Sequence, residues 1–312
     1  MTAVLRLGTR ASVLAVTQSR LVADAVARET GATVELVTIT THGDVATGSL
    51  ASLGGTGVFA TALREALLAG ECDLVVHSLK DLPTAPHPGL VLAAIPERAP
   101  ANDVLCGPAV LADLPRGARV GTGSPRRAAQ VRRRRPDLAV LDIRGNVDTR
   151  LRRVDEGDYD AIVLAAAGLR RIGREAAIRE ELALSAWPTS AGQGALAVEI
   201  RETDAELAAD LRRIADPATE VAVLFERAVL AGLEAGCAAP VGISATTSGD
   251  GARVDLVAEA YAPDGTDSVR VERSAPAGGL ADPAVRAARA DAVVRALLDG
   301  GAAALAGLGA RP

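Results

Sequence analysis

Residues 73–83 read Asp73-Leu74-Val75-Val76-His77-Ser78-Leu79-Lys80-Asp81-Leu82-Pro83. The run from Asp73 to His77 is apolar and of strand length, and polar and charged residues follow it directly. A helix is predicted before it, from about Phe59 to Ala69, and a strand after it, from Leu90 to Ile95. Apolar strands that alternate with helices are typical of an α/β sheet covered on both faces.

The same alternation extends in both directions along the chain. Toward the N-terminus we expect a strand at 4–7, a helix from Ser12 to about Arg28 and a strand over 33–40. Toward the C-terminus we expect strands at 119–122, 139–143 and 161–164, with helices beginning at Ser124-Pro125 and after Asn146, and helices over about 165–182. Residues 187–194 are expected to cross back to a last strand at 195–200.

Three domains are predicted, because 312 residues exceed the size at which a single core keeps growing. Residues 96–102 carry two prolines and no periodicity, which indicates a boundary. The last third changes to a helix over 218–233 followed by alternating strands near 241–248, 252–261 and 268–273, an antiparallel α+β pattern. The predicted domains are 1–97 with 195–215 (α/β), 98–194 (α/β) and 216–312 (α+β).

The composition argues against several classes of protein. Aromatic residues make up 2% of the chain, too few for base stacking on aromatic platforms, so no nucleic-acid partner is expected. The N-terminal residues do not read as a signal peptide, and the apolar runs are too short to span a bilayer. We therefore expect a cytoplasmic protein. Three cysteines and three histidines, widely spaced, predict neither a disulfide framework nor a metal site.

Charge is unevenly distributed, which indicates a localised anion site. The net charge is −5, yet residues 116–180 hold sixteen arginines against nine acids. Of the thirty-four cationic residues only Lys80 is a lysine. A site that keeps lysine can require its compact ammonium rather than the guanidinium fork, although one lysine must also lie somewhere by chance. Its neighbour Asp81 follows an apolar strand, where a carboxylate can be partly desolvated.

Arginines recur where predicted strands end. In Gly121-Thr122-Gly123-Ser124-Pro125-Arg126-Arg127, Ser124 is a predicted N-cap, and Arg126 and Arg127 in the first turn oppose the helix dipole at a cost of about 0.3–1 kcal/mol each. An anionic ligand would reverse that sign; the alternative is a solvated basic turn. Arg144, Arg150, Arg10 and Arg171 repeat the pattern, which predicts a ligand with several carboxylates or phosphates. The run 132–135 is interpreted as solvated surface.

Two further segments are candidates for function. Leu53-Gly54-Gly55-Thr56-Gly57 matches neither a P-loop nor a dinucleotide fingerprint and is interpreted as a hinge or flap. Cys237 lies in a turn of small residues, whereas Cys72 and Cys106 lie beside or within apolar strand segments. Exposure makes Cys237 the candidate for covalent chemistry, although most cysteines are inert small hydrophobes.

Taken together these motifs resemble the porphobilinogen deaminase family over nearly the whole chain. The resemblance rests on Leu7-Gly8-Thr9-Arg10-Ala11-Ser12, Thr41-His42-Gly43-Asp44, Val76 to Pro83, Val120 to Arg127, Ile143 to Arg150, Leu164 to Arg171, Ala191-Gly192-Gln193-Gly194-Ala195 and Leu233 to Cys237. Each motif alone is modest, and their common order is specific.

The resemblance implies three domains, the first two arranged like a two-lobed periplasmic binding protein. It implies a transferase that condenses four porphobilinogens head to tail, with loss of ammonia, into a linear tetrapyrrole that passes to uroporphyrinogen III synthase. The primer would be a dipyrromethane cofactor joined by a thioether to Cys237. Family members suggest a monomer, and no metal is implied.

The resemblance also implies residue roles. Asp81 and Lys80 would be catalytic, with Asp81 stabilising the cation left when ammonia departs and moving protons. The residues implied for the cofactor are Cys237, Lys80, Asp81, Ser78, Thr122, Ser124, Arg126, Arg127 and Arg144. Those implied for incoming and growing pyrroles are Arg10, Ser12, Arg144, Arg150, Arg171 and Gln193.

Three departures from the family pattern affect details only. Gly123 removes a hydroxyl that is common in the family, Thr56 stands where many members have lysine, and 98–103 lacks a frequent acidic pair. Two alternatives remain. A non-catalytic two-lobed protein that binds or senses a small anion would share the arginines without requiring Asp81 or Cys237. A nucleic-acid binder that uses 132–135 is disfavoured by the net charge.

Overall fold

The computed structural model describes residues 4–39, 58–235 and 239–308. The chain separates into two compact units, residues 1–99 with 195–220 and residues 100–194 with 221–312. The first unit contains a five-stranded sheet, and the second contains a five-stranded and a three-stranded sheet.

Up to residue 201 the described residues form strands interspersed with helices, without a strict alternation of the two. The strands are β1 (Val4–Thr9), β2 (Thr33–Thr38), β3 (Leu74–Ser78), β4 (Leu90–Ala94), β5 (Asp103–Cys106), β6 (Arg119–Gly121), β7 (Ala139–Leu141), β8 (Ala161–Ala165), β9 (Glu180–Glu181), β10 (Leu196–Arg201), β11 (Val241–Thr247), β12 (Arg253–Tyr261) and β13 (Ser268–Pro276). The α-helices are α1 (Val13–Thr30), α2 (Val58–Leu68), α3 (Pro125–Arg134), α4 (Val147–Asp155), α5 (Ala166–Arg171), α6 (Ala205–Leu211), α7 (Pro217–Gly232), α8 (Ala277–Leu280), α9 (Pro283–Asp299) and α10 (Ala302–Ala306).

The sheet of the first unit has the order β2-β1-β3-β10-β4. Strand β1 is parallel to β2 and β3, whereas β10 is antiparallel to β3 and β4. Its core includes Leu7, Leu74 and Ile200 on the strands, with Val22 and Val26 of α1 packed against them. Because β1 and β3 are parallel neighbours, the residues that follow Thr9 and Ser78 lie at the same edge of the sheet.

The five-stranded sheet of the second unit repeats this order as β7-β6-β8-β5-β9. Strand β6 is parallel to β7 and β8, and β5 is antiparallel to β8 and β9. Buried Val120, Val131, Val163 and Trp187 form part of the core on one side of the sheet. The two five-stranded sheets therefore match strand for strand, with an antiparallel strand in the fourth position of each.

The C-terminal sheet is antiparallel in the order β11-β12-β13, and Phe225 and Val229 of α7 pack in its core with Val293 of α9. Strand β11 is tied to the segment that precedes β10, because the Ile243 amide donates to the Thr189 carbonyl at 2.7 Å. A Cβ on Gly242 would lie 2.4 Å from the Pro188 carbonyl oxygen, so only glycine permits this approach.

The predicted fold class is confirmed: two α/β sheets and a small C-terminal α+β part. The prediction of helices over 165–182 is wrong, because α5 ends at Arg171, Gly173 turns the chain with φ +68°, and Glu180–Glu181 form β9 beside β5. Strand β5 was not predicted, since it is four residues long and begins next to the expected boundary. The limits of three domains stay a prediction.

Candidate functional site

A pocket in the first unit lies where β1 and β3 end. Its lining combines polar and apolar side chains: Arg10, Ala15, Gln18, Ala60, Leu63, Val76, His77, Ser78 and Asp81. Ser78 Oγ and Gln18 are joined by hydrogen bonds, with Gln18 Nε2 donating at 3.0 Å. Ser12 caps α1, its Oγ accepting from the Ala15 amide at 3.3 Å. The predicted residues Arg10, Ser78 and Asp81 therefore share one pocket, and Ser12 caps the helix beside it.

Asp81 is presented by a tight turn at the end of β3. Leu79–Asp81 form one turn of 3₁₀ helix, and Leu79 is fully buried. The Leu79 amide donates to the Ala195 carbonyl at 3.0 Å, which fixes the turn to the chain entering β10. Asp81 itself is exposed and Lys80 is half-buried. Within this unit the carboxylate is therefore held on a rigid element and open to solvent, rather than partly desolvated as expected.

A buried ion pair lies next to this pocket. Arg64 of α2 donates to both carboxylate oxygens of Glu199 on β10, at 2.8 and 2.6 Å, and His77 Nε2 lies 3.1 Å from Glu199 Oε2. Burial by itself raises the pKa of the Glu199 carboxyl, but the hydrogen bonds from Arg64 and His77 outweigh it and lower the pKa to about 2. This group was not predicted from the sequence, because Arg64 and Glu199 are 135 residues apart.

The N-terminus of α3 in the second unit contains a denser cluster. Asp103, the first residue of β5, is fully buried and accepts from Arg126 Nη1 at 2.8 Å and Arg127 Nη2 at 2.6 Å. Gln193 Nε2 and Trp187 Nε1 donate to the same carboxylate at 2.8 and 3.0 Å. Burial raises the pKa of Asp103, yet the two guanidiniums outweigh it and hold the pKa far below its usual range.

The negative charge of Asp103 partly offsets the unfavourable interaction between the dipole of α3 and the two arginines in its first turn. The sequence predicted an anionic ligand at this helix end, and the structure shows that a carboxylate of the chain itself, Asp103, already lies there. Two guanidiniums share one carboxylate, however, so the cluster keeps a net positive charge. Nε and Nη2 of Arg126 and Nε of Arg127 are buried and have no hydrogen-bond partner among the described residues. These donors fit a further anionic group.

Arg150, Arg144 and Arg171 add to the positive charge of this unit. Burial lowers the pKa of Arg150, and the charges of Arg127 and Arg144 lower it further, so each of these two guanidiniums lies within electrostatic reach of Arg150. Burial also lowers the pKa of Arg171 to about 10, and Arg171 Nη2 donates to the Gly194 carbonyl, next to Gln193. Five of the predicted arginines therefore lie in the second unit, whereas Arg10 belongs to the first.

The turn between β6 and α3 explains the glycine at 123. Ser124 caps α3 by accepting from the Arg127 amide at 3.5 Å, and the Ser124 amide donates to Thr122 Oγ1 at 3.2 Å. A Cβ on Gly123 would lie 3.0 Å from the Ile143 carbonyl oxygen. Glycine therefore lets this turn approach the strand end that carries Arg144.

The arginines of 132–135 were expected to be solvated surface; Arg133 and Arg134 are exposed and the other two are half-buried, and all four also donate to backbone carbonyls. Arg132 donates to Pro263 at 2.9 Å, Arg133 to Thr266 at 3.3 Å and Arg134 to Ala186. Arg135 donates to three carbonyls in 111–114. In addition, Gln130 Nε2 donates to Tyr261 Oη at 3.0 Å. Helix α3 thus connects the arginine cluster with the β12–β13 hairpin of the same unit.

Cys237 lies outside the described residues, as do the glycine-rich loop 53–57 with Thr56 and the motif 41–44. Cys72 and Cys106 are free and buried, and burial raises the pKa of both thiols, that of Cys106 to about 11. Within 4–39, 58–235 and 239–308, no three His, Cys, Asp or Glu side chains are grouped to hold a metal ion. In the same ranges no helix is long and apolar enough to cross a membrane.

These features define a class of protein: an α/β protein with arginines clustered where strands end and a carboxylate held at the end of β3. A family profile described as the dipyrromethane cofactor binding domain of porphobilinogen deaminase matches residues 5–209, and one described as its C-terminal domain matches residues 221–285. The chain belongs to the porphobilinogen deaminase family.

Relatives over the whole length agree with this assignment. The porphobilinogen deaminase of Leifsonia xyli subsp. xyli is 56% identical over 97% of this chain and 94% of its own length. That of Cutibacterium acnes is 50% identical over 97% of each chain.

Among solved structures, a periplasmic substrate-binding protein from Coxiella burnetii matches 69% of this chain and 93% of its own, with a TM-score of 0.43 and 15% identity.

Proposed function

We propose that the chain is a transferase that condenses four porphobilinogen molecules head to tail, with loss of ammonia, into hydroxymethylbilane. In this proposal it carries a dipyrromethane primer joined by a thioether to Cys237. The observation that carries the proposal is the net positive cluster of Arg126 and Arg127 around Asp103, in a chain of this family. Porphobilinogen bears acetate and propionate arms, so primer and product are polyanions that require several guanidiniums.

The residues proposed to hold the primer are Ser78, Lys80, Asp81, Thr122, Ser124, Arg126, Arg127 and Arg144. The unpaired buried N–H groups of Arg126 and Arg127 support this assignment, since carboxylates would satisfy them. When bound, the dipyrromethane supplies the electron-rich pyrrole carbon to which the first substrate is added. The chain's own residues orient its carboxylates and keep competing anions out.

Asp81 is proposed to act on the substrate. Its carboxylate stabilises the positive charge that develops as ammonia leaves, and it can carry the proton first at the amine and then at the pyrrole carbon. The buried Leu79 and the hydrogen bond to Ala195 hold its turn in place, as a catalytic group requires. Lys80 at the same turn is proposed to bind carboxylates of the primer.

Arg10, Ser12, Arg144, Arg150, Arg171 and Gln193 are proposed to bind incoming and growing pyrroles. Arg171 and Arg150 support this role because burial disfavours their charge unless an anion accompanies it. For the thioether, Cys237 is favoured because the other two thiols are buried and have raised pKa values. The resemblance also leads us to propose three domains, a cytoplasmic monomer, and transfer of the product to uroporphyrinogen III synthase.

The intact mass of the denatured protein, with peptide mapping around residue 237, tests the proposal. We expect an excess equal to two linked pyrrole units on the peptide that contains Cys237, and its absence in Cys237→Ser. A bare mass is followed by incubation with porphobilinogen, which should produce the adduct and then turnover. Binding of porphobilinogen without an adduct or product would favour the non-catalytic anion-binding protein instead.

A further inference from the structure

The carboxylate of Asp103 is fully occupied by the protein itself. Oδ2 accepts from Arg126 Nη1 and Trp187 Nε1, and Oδ1 accepts from Arg127 Nη2 and Gln193 Nε2, at distances between 2.6 and 3.0 Å. An ionised carboxylate has about four lone-pair positions, and each oxygen here uses two. Asp103 therefore has no capacity left to bind a ligand, and its effect must pass through the groups that it holds.

The groups that Asp103 holds are those with unused donors. Arg126 and Arg127 are 2% and 8% exposed, and three of their side-chain nitrogens lack a partner in the described part of the chain. Arg127 is fixed at its other Nη by the Val163 carbonyl at 3.2 Å, and Arg126 Nη1 also contacts the Pro188 carbonyl at 3.1 Å. Each guanidinium is thus clamped at one end while further N–H groups stay unpaired.

Without the carboxylate this arrangement would not hold. Two adjacent guanidiniums repel each other, and Arg126 already has its pKa lowered by burial, an effect that the charge of Arg127 reinforces and that of Asp103 opposes. Arg127 is also within electrostatic reach of Arg150. Removing the one negative charge would turn at least one guanidinium toward solvent.

We propose that Asp103 is a positioning residue: it fixes Arg126 and Arg127 so that their unpaired N–H groups are preorganised for the carboxylates of the primer and the growing pyrrole chain. This inference rests on the proposed function for the identity of the ligand. It assigns Asp103 no contact with substrate and no proton transfer. Because Trp187 is the chain's single tryptophan and donates to Asp103, its fluorescence reports on the same cluster.

Two substitutions of Asp103 separate charge from shape. Asp103→Asn keeps the shape and removes the charge, whereas Asp103→Glu keeps the charge and adds a methylene to a packed site. We expect the primer-loaded fraction, measured by intact mass, to fall strongly in Asp103→Asn, and the KM for porphobilinogen of its loaded fraction to rise about 10–100-fold, as for a lost charge-assisted hydrogen bond. Asp103→Glu should retain more loading and a lower KM than Asp103→Asn.

The opposite order would overturn the proposal, because a packing role tolerates Asn and not Glu. If Asp103→Asn does not fold, Trp187→Phe replaces it: an aromatic ring, although smaller than indole, stays at this buried position and one donor to Oδ2 is lost. We expect KM to rise about 2- to 10-fold in Trp187→Phe with kcat little changed. An unchanged KM there, with normal loading, would also contradict the positioning role.

Failure of the proposed function is distinguishable from failure of this inference. A wild-type chain that neither carries the primer nor consumes porphobilinogen would refute the proposed function. The positioning role of Asp103 is then tested by titrating citrate, a tricarboxylate, into the protein while Trp187 fluorescence is measured. A saturable change in wild type that Asp103→Asn lacks supports positioning of the arginines, and equal or absent responses in both proteins overturn it.

Discussion

The two five-stranded sheets share one strand order but treat buried charge differently. In each, the antiparallel fourth strand carries a buried carboxylate: Glu199 on β10 and Asp103 on β5. Glu199 pairs with a single guanidinium, that of Arg64, beside His77. Asp103 pairs with two guanidiniums, those of Arg126 and Arg127. The buried charges around Glu199 therefore match one to one, whereas those around Asp103 leave one positive charge without a partner.

This difference in charge balance indicates that the two buried clusters have different roles, one in stability and one in ligand binding. A one-to-one buried pair holds structure together and needs no ligand, although breaking it is costly. A buried cation without a counter-charge is a candidate binding site. Its burial is electrostatically unfavourable, and a carboxylate of the ligand would supply the missing counter-charge. The first unit instead offers its exposed Asp81 at the end of β3. We expect the chemistry to depend on Asp81 of the first unit and anion binding to depend mainly on the second unit, which holds five of the six proposed arginines.

The largest effect is expected for Asp81→Ala. Loss of the carboxylate that moves protons should lower kcat by about 10²–10⁴-fold, the usual range for a general acid–base group. Because Asp81 is exposed, the free energy of unfolding should change by less than about 0.5 kcal/mol. Single-turnover kinetics with primer-loaded protein measure this, with Asp24→Ala on the exposed side of α1 as the control. Near-normal turnover would remove Asp81 from the mechanism.

Glu199→Gln should act on stability instead. It leaves Arg64 buried without a counter-charge, which typically costs about 3–5 kcal/mol. Urea unfolding measures the loss, and Asp73→Asn, which weakens a more exposed pair with Arg6, should cost about 1 kcal/mol or less. The folded fraction should keep its KM. A stable variant with a raised KM would mean that the buried pair of the first unit also serves the ligand, and the contrast between the units would fail.

Acid provides an independent measure of the same pair. The pKa of Glu199 is lowered from 4.5 to about 2, so the folded state binds its proton less tightly than the unfolded state does. Its stabilisation is fully present above about pH 4.5 and is lost as pH falls toward 2, by up to about 3 kcal/mol. The slope of stability against pH over this window should be shallower in Glu199→Gln. Equal slopes would exclude Glu199 as a main source of acid sensitivity.

In the second unit, removing a cation should weaken binding without loss of stability. Arg150→Gln should raise KM about 10–100-fold, since one charge-assisted hydrogen bond to the ligand is lost. The melting temperature should stay equal or rise, because the charges of Arg127 and Arg144 already disfavour that of Arg150. Arg152→Gln is the matched control, an exposed arginine on the same helix paired with Glu156. A large drop in melting temperature would show that Arg150 is structural.

The features that could be predicted from the sequence are those set by residues close together in the chain, such as strands, turns and helix starts. Strand β3 with its turn at Asp81, and the helix starts at Ser12, Ser124 and Asn146, follow from local pattern and capping. The unfavourable arginines at the start of α3 predicted an anionic ligand, which stays a prediction; the anion that the structure shows there is Asp103 of the chain itself. Asp103 was within reach of sequence reasoning only as a carboxylate opening an apolar run, a weak signal next to an expected boundary.

The pairs that give each unit its charge balance could not be predicted. Asp103 meets Trp187 across 84 residues, and Arg64 meets Glu199 across 135. Such pairs are set by the order of strands in the sheet, which a single sequence does not specify. The arginines of 132–135 show the same limit, because the carbonyls that they bind belong to distant segments.

The smallest expected effects compare the two serine caps that follow β1 and β6. Ser12→Ala and Ser124→Ala each remove one bond to a helix amide and should cost about 0.5–2 kcal/mol of stability, measured by urea unfolding. Their effects on KM should differ in kind. Both serines are also proposed to contact the ligand directly, so that contribution does not distinguish them. Ser124 caps the amide of Arg127, so its loss also loosens the backbone that carries a binding guanidinium, whereas Ser12 caps the amide of Ala15, whose side chain has no charge. At equal cost in stability, Ser124→Ala should therefore raise KM more than Ser12→Ala does. A larger rise in Ser12→Ala would place the stronger anion contact in the first unit and reverse the division of work between the two sheets.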